Sequence, residues 1–486
     1  DQSYGPELIR LALASGAVTE ATLDSHVLRM LRTFFAYGVF DRAGYVDDAS
    51  RIDRALHRRV AQVVEERAIT LLENDGVLPL RTGRAGRPGR GGVTKIAVIG
   101  PYADRFVTGG GSGTVNAVGP VTALDGIRER AGRGVEVSYA DGSNVAEAVS
   151  LARAADVAVV VVGDVQTEGQ DKDCLGLNCP SDLVNSQGVL FLQGSSCLQE
   201  SCPLNGSDQD FLISVVAGVQ PDTVVVLETG GPVLTPWRDD VAALVSAWYP
   251  GQAGGTAIAR VLFGDVDPGG RLPATFPATA SQVPTAGDRR RYPGVAEEVF
   301  YDEGLRVGYK WYDSQGLRPA YEFGAGLSYT TFRYGRLRVQ RAPRSDRGRA
   351  GSAAVATATL KVTNTGRRTG IAVPQLYVSK PSRPGRYQVP RQLVGYASAE
   401  VPAGAGVRVR FPLNQRSFAS WTGRRGGWQL SPGCYRLSAG SSSRSLDRHA
   451  VLGSGDGCDR GRVRLARRGD VDLPLPPVAK VRRLPR

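Results

Sequence analysis

A chain of 486 residues and 51.6 kDa exceeds one ordinary hydrophobic core, so two or three domains are expected. Hydrophobic residues at 42% and charged residues at 22% exclude a disordered or fibrous protein, and no run of about 18 apolar residues is present to cross a membrane as a helix. The formal charge of +13 is an arginine property, with 6 lysines against 54 arginines; they are scattered, no RNP, zinc-finger or basic-zipper pattern accompanies them, and no nucleic-acid partner is implied.

Residues 1–42 read as helices. Leu8, Ile9 and Leu11 to Leu13 give a first apolar face. Thr19 is placed to cap a second helix, with Leu23, Val27, Leu31 and Phe34 at helical spacing and Gly38 ending it. A third helix is predicted over roughly 53–72, with Ala61, Val64, Ala68 and Leu72 as its stripe. Three helices without strands bury little alone, so they read as the edge of a larger body. Residues 43–93 comprise this helix and a basic, Gly/Pro-rich linker densest at Arg81–Arg90. Residues 1–15 lack the basic-then-apolar order of a signal peptide.

From residue 94 to 275 the pattern alternates between short apolar strands and amphipathic helices. The strands are KIAVIG (95–100), VEVSYA (135–140), ADVAVVVVG (155–163), TVVVLE (223–228) and AALVSAW (242–248), and helices are predicted over 122–132, 143–153, 207–217 and 254–263. Strands without polar alternation predict a mostly parallel sheet covered on both faces, the fold class being α/β. Residues 276–335 are irregular and aromatic-rich. Residues 336–455 alternate in the manner of a fibronectin type III-like β-sandwich, and 456–486 form a basic, Pro-containing tail predicted to be loose or laid on the surface.

Six cysteines are present, four of them (Cys174, Cys179, Cys197, Cys202) in one polar insertion. The even number fits disulfides and an oxidising compartment, and a four-thiolate zinc site or free thiols are the competing readings. Cys434 falls in one of the last sandwich strands, where Cys458 could tie the tail back to it.

The chemistry narrows by exclusion. The glycines of GGGSG (109–113) begin nine residues after Gly100, and neither a dinucleotide fingerprint nor a P-loop occurs. The loop reads either as flexible or as a place where backbone approaches something closely. No G-x-S-x-G joins a strand to a helix, and His26, His57 and His449 all lie outside the α/β unit, which disfavours a serine triad or a histidine metal site. Carboxylates remain. In TEGQDKD (167–173) Glu168 follows a strand that ends near Asp164, with Asp171 and Asp173 close by. Ligands of such sheets sit at the carboxyl ends of strands, and like charge or burial there would raise the pKa of Glu168 toward that of a general acid. A solvated acidic loop is the plain alternative. Asp164 and Asp171 lie too near in sequence to flank a sugar ring as a carboxyl pair.

The ordered segments GVFDR (38–42), AITLLENDGVLPL (68–80), TEGQDKD (167–173), VLETGGPVLTPW (226–237), AWYPGQAGGTAIARVLFGDVDPGGRLPATFP (247–277), YDEGLRVGYKWYD (301–313) and FGAGLSYTTF (323–332) together resemble glycoside hydrolase family 3, the β-glucosidase and β-xylosidase group. The resemblance implies a retaining glycosidase without metal or cofactor that releases terminal β-D-glucose. Its partner would be a β-linked oligosaccharide or an aryl or alkyl glycoside. Glu168 matches the family's general acid/base. Gly111 and Ser112, with Asp171 and Lys172, become site-lining candidates, and the aromatic stretch Tyr301–Tyr312 a brace for the site's mouth. The family's nucleophile is an aspartate of a (β/α)8 barrel preceding this segment, and it is absent from the 486 residues. The helices of 1–42 then become the remnant of that barrel, the barrel itself a missing partner, and the chain alone is expected to be inactive. The family's E-G-x-D-R reads here Glu168-Gly169-Gln170-Asp171-Lys172, which keeps the charge but loses the bidentate fork. The insertion at 174–202 reads equally as a rim over the site or a passive loop. A secreted location is implied (periplasmic in a two-membrane bacterium), and a homodimer is left open. The alternatives are a β-xylosidase, a carbohydrate-binding module without catalysis, and a basic adhesion module for anionic polymers.

Overall fold

A computed structural model describes residues 5–42, 44, 48–83, 92–169, 172, 174–177, 183–184, 190–191, 208–341, 354–382, 388–421, 427–454, 458, 464–465 and 479–483. The chain forms two compact units, Asp1–Leu56 and His57–Arg486.

The first unit holds helices α1 (Pro6–Ala14) and α2 (Glu20–Ala36). Thr19 caps α2 by accepting the Thr22 N–H at 3.1 Å, and Gly38 turns the chain at a φ of +61°. Neither helix buries a residue, and Phe35 and Tyr37 are 68% and 72% exposed. Helix α3 (Arg54–Ala68) continues the chain, with Val60 and Val64 also exposed.

The second unit is built on a six-stranded sheet. Its strands are β1 (Thr70–Asn74), β2 (Lys95–Ile99), β3 (Glu136–Ala140), β4 (Val157–Gly163), β5 (Thr223–Glu228) and β6 (Ala243–Ser246), in the order β1-β6-β5-β4-β2-β3. All neighbours are parallel except β1, which pairs antiparallel with β6, Thr70 opposite Ser246 and Leu71 opposite Val245. Here the helix predicted to run to Leu72 stops at Ala68. Ile69 and Leu71 are fully buried, and the β-branched Ile69-Thr70 pair favours extended chain where β6 offers an open edge.

The lack of polar alternation in β4 now has a physical reason. Val157, Val159 and Val161 enter one core with α4 (Ala123–Ala131) and α7 (Gly254–Leu262). Ala158, Val160 and Val162 enter the opposite core with α5 (Val145–Ala154) and α6 (Gln209–Ala217). Thr122 and Asp125 form a capping box on α4. Helices α4 and α7 touch through glycine: a Cβ on Gly126 would lie 2.0 Å from the Gly255 carbonyl oxygen.

After α8 (Tyr309–Gln315) comes the β-sandwich. One sheet contains β7 (Phe332–Tyr334), β8 (Arg338–Arg341), β9 (Ala356–Asn364), β12 (Gly406–Leu413) and β16 (Lys480–Arg483); the facing one contains β10 (Gln375–Ser379), β11 (Gln392–Tyr396), β13 (Gly433–Gly440), β14 (Arg448–Ser454) and β15 (Arg464–Leu465). Leu360, Val362, Leu376, Val409, Phe411, Tyr435 and Leu437 fill the space between them. Part of the tail predicted to be loose is thus a strand. The alternation of Lys480-Val481-Arg482 matches β12, with Val481 opposite Val409. The Cys434–Cys458 disulfide closes as the sequence suggested, with a Cα–Cα distance of 5.0 Å. Asp267 links sandwich to sheet domain, accepting the Tyr329 N–H at 2.8 Å and the Ile371 N–H at 2.7 Å. Within the stretch Tyr301–Tyr312, expected to brace the site's mouth, Tyr309 instead faces the sandwich: it packs on Phe323 and its hydroxyl accepts the Leu393 N–H at 2.9 Å. No helix among the described residues is long and apolar enough to cross a membrane.

Candidate active site

Strand order decides where the site lies. From β2 the chain passes to β3 on one side, then returns to β4 on the other. The loops after β2 and β4 therefore part at the carboxyl ends of adjacent parallel strands, the crevice where such sheets bind ligands. The first loop carries GGGSG and the second carries Glu168.

The two loops prolong the ladder of their strands. The Gly110 N–H donates to the Gln166 carbonyl at 2.9 Å, and Gly110 bridges Thr167 in parallel register. This close approach explains the glycines. A Cβ on Gly110 would meet Thr167 Oγ1 at 2.3 Å, and one on Gly111 would meet the Glu168 Cβ at 2.7 Å. Gly111 also has a φ of +65°, in the left-handed region that favours glycine. Of the two readings of GGGSG, close backbone approach is the one realised.

Ser112 then holds the glutamate. Its N–H donates to Glu168 Oε2 at 2.9 Å, and its hydroxyl donates to the same oxygen. Glu168 is otherwise exposed to solvent. These two bonds, the hydroxyl first, hold the Glu168 carboxyl below the usual range. The raised pKa expected from like charge or burial is not found: Glu168 is exposed, and the bonds from Ser112 favour its ionised form. Asp171 and Asp173 lie outside the described residues.

Asp164 is 6% exposed and serves as the joint of the site. One of its oxygens, Oδ2, accepts Lys172 Nζ at 2.6 Å and Gln166 Nε2 at 3.1 Å; Oδ1 accepts the Gly230 N–H at 2.9 Å and the Tyr249 hydroxyl at 3.4 Å. Tyr249 Oη in turn accepts the Gln166 N–H at 2.7 Å. One carboxylate thus fixes the loops that follow β4, β5 and β6. Lys172, expected at the lining, instead places its ammonium inward on Asp164 and on the Gly176 carbonyl, at 3.2 Å. Trp248, just before Tyr249, has a φ of +55°, a strained backbone of the kind concentrated near functional loops.

Sequence reasoning brought together Gly111, Ser112 and Glu168 but did not single out Gln166, Gly230 or Tyr249. A usable signal was present: each follows the carboxyl end of a buried strand, so the topology had to gather them. Cys174 is disulfide-bonded, while most of the insertion lies outside the described residues. No cluster of metal-ligating side chains occurs among the described residues.

Comparison with known proteins identifies the domains. The glycosyl hydrolase family 3 C-terminal domain matches residues 69–329, and a fibronectin type III-like domain matches 372–443. The chain belongs to glycosyl hydrolase family 3. It is 31% identical to an exo-α-(1→6)-L-arabinopyranosidase of Bifidobacterium longum, over 94% of this chain and 56% of that protein. It is also 31% identical to the thermostable β-glucosidase B of Acetivibrio thermocellus, over 90% of this chain and 53% of that protein. Among solved structures, DesR, a β-glucosidase from Streptomyces venezuelae, superposes with a TM-score of 0.73 at 28% identity, covering 92% of this chain and 66% of that one. The chain thus spans about half the length of these curated relatives.

Proposed function

We propose that this chain supplies the general acid/base of a retaining exo-glycosidase that removes terminal β-D-glucose, with Glu168 as the proton carrier. The observation that carries the reading is the pinning of Glu168 by Ser112 at the crevice between β2 and β4. In such a mechanism the acid protonates the glycosidic oxygen, then as a base activates water against a glycosyl–enzyme intermediate. The ionised state that Ser112 favours suits the second step. The first requires the carboxyl to be protonated, which desolvation by bound sugar and by a covering domain would promote.

The nucleophile in this reading is an aspartate of a barrel domain outside the 486 residues, and α1 and α2 are its last helices. The exposed Phe35, Tyr37 and Phe40 support such a cover, since apolar side chains of this size seek burial. Chain 1–486 alone is then inactive. Secretion fits the disulfides. The arabinopyranosidase relative makes α-L-arabinopyranosides a second substrate class to test.

The test uses the protein as its native source makes it. Glu168→Ala should lower kcat/KM by about 10²- to 10⁴-fold on an alkyl glucoside. On a dinitrophenyl glucoside, whose leaving group needs no proton, the glycosylation step should be nearly unaffected. Equal losses on both substrates would reject the assignment, and sugar binding without hydrolysis by the native protein would leave a carbohydrate-binding module.

A further inference from the structure

One sheet face of the sandwich carries a charge pattern that neither the fold nor the candidate site uses. Side chains alternate along β9: Ala356, Ala358, Leu360 and Val362 enter the core, so Thr357, Thr359 and Lys361 point the other way. Strand register then stacks like charges across this outer face. Lys361 stands opposite Arg408, and Arg408 opposite Arg482. In the adjacent row Thr359 lies between Arg338 and Arg410, and Arg410 is opposite Lys480.

Like charges directly opposite each other on neighbouring strands destabilise a sheet. Strands lie about 4.8 Å apart, so three cations in one row repel at close range. Among the described residues no carboxylate pairs with Lys361, Arg408 or Arg482. A cavity of about 680 Å³ opens over the part of these rows carried by β8, β9 and β12. Thr357 lines it at only 5% exposure, and its Oγ1 has no hydrogen-bond partner among the described residues. Gln340 and Thr359 complete a neutral, hydrogen-bonding strip beside the cations.

We propose that this face docks an acidic polysaccharide. Its uronate carboxylates would sit along the Lys361–Arg408–Arg482 row, and its hydroxyls would meet Gln340 and Thr359. A glycan offers both groups at short intervals, whereas a nucleic acid would want aromatic platforms and a membrane would want apolar anchors, and the cavity lining has neither. Guanidinium groups suit carboxylates through paired N–H donors. The surface is independent of Glu168 and stands whether or not the chain is catalytic.

The experiment is titration of the full chain with polygalacturonate, with dextran as a neutral control. Binding is expected at about 50 mM salt, weakening roughly tenfold toward about 300 mM as the Debye length shortens, and dextran should not bind. The double substitution K361E/R408E should weaken binding by about tenfold or more. K361Q/R408Q guards against misfolding: it removes repulsion, so it should melt no lower than the wild type while binding more weakly. No binding of polygalacturonate, or unchanged binding by a folded K361Q/R408Q, would overturn the proposal. So would tighter binding of duplex DNA at equal charge concentration.

Discussion

Lys172→Met is the sharpest test of how the candidate site is held together. The substitution keeps an unbranched stem and removes the charge, leaving Asp164 as a buried carboxylate without its cation. Removing one partner of a buried ion pair costs about 3–5 kcal/mol, because the other charge stays desolvated. Lys172 and Asp164 have side chains 13% and 6% exposed at 2.6 Å, so this range applies rather than the near-zero value of surface pairs. The Gly230 N–H, the Gln166 amide and the Tyr249 hydroxyl remain on Asp164. Neutral donors contribute about 1 kcal/mol each and absorb part of the charge, so the lower end, about 3 kcal/mol, is expected. Urea denaturation of the wild type, Lys172→Met, Asp164→Asn and the double variant gives the coupling directly. The double variant should cost less than the sum of the singles by about 2 kcal/mol. Hydrogen exchange should locate the loss in the loop after β4. A cost for Lys172→Met below about 0.5 kcal/mol, or additivity within that margin, would refute the idea that this pair is the joint of the site.

Other expectations follow from the same geometry. Ser112→Ala removes the larger of the two influences that keep the Glu168 carboxyl low, so its pKa should rise and the basic limb of kcat/KM should move to higher pH; an unmoved limb would mean another group titrates. Burial lifts Glu65, on α3, from 4.5 to about 8, and Glu228 is also raised well above its usual value, by burial first and then by Glu65. The fold accepts neutral Glu65 while the unfolded chain ionises it, so stability is full below pH 4.5 and falls toward pH 8, by at most about 5 kcal/mol. Glu65→Gln should flatten that slope in pH-dependent denaturation, and a wild type that grows more stable over this window would contradict it. Loss of the Cys434–Cys458 bridge frees a loop with a sequence separation of 24, so Cys458→Ser should lower sandwich stability by about 3 kcal/mol in calorimetry.

Much of the sheet domain could be read in the sequence because its strands are buried on both faces. Val157–Val162 and Val224–Leu227 divide alternately between two cores, which leaves no polar residue to blur the run. Thr70–Asn74 escaped detection for the opposite reason. Its apolar residues continue the stripe of α3 without a break, and only the open edge of β6 decides that they extend. Lys480–Arg483 was hidden in the same way, since four residues carry little periodicity until β12 supplies their partner. Glu168, Gly111 and Ser112 were legible as a motif and a glycine loop, but their meeting depends on β2 and β4 being neighbours. The charge state of Glu168 was not legible. It is set by the two hydrogen bonds from Ser112, and those depend on the loop after β2 lying beside the loop after β4.

The chain that leaves Glu168 is fastened again at the start of the cysteine-rich insertion. Lys172 grips Asp164 and the Gly176 carbonyl, the Leu175 carbonyl takes the Leu234 N–H at 2.9 Å, and Gln209 reaches the Leu177 carbonyl at 3.2 Å. Leu175, Gly176 and Leu177, at the start of the insertion, are thus tied to the surroundings of the glutamate, next to the disulfide-bonded Cys174.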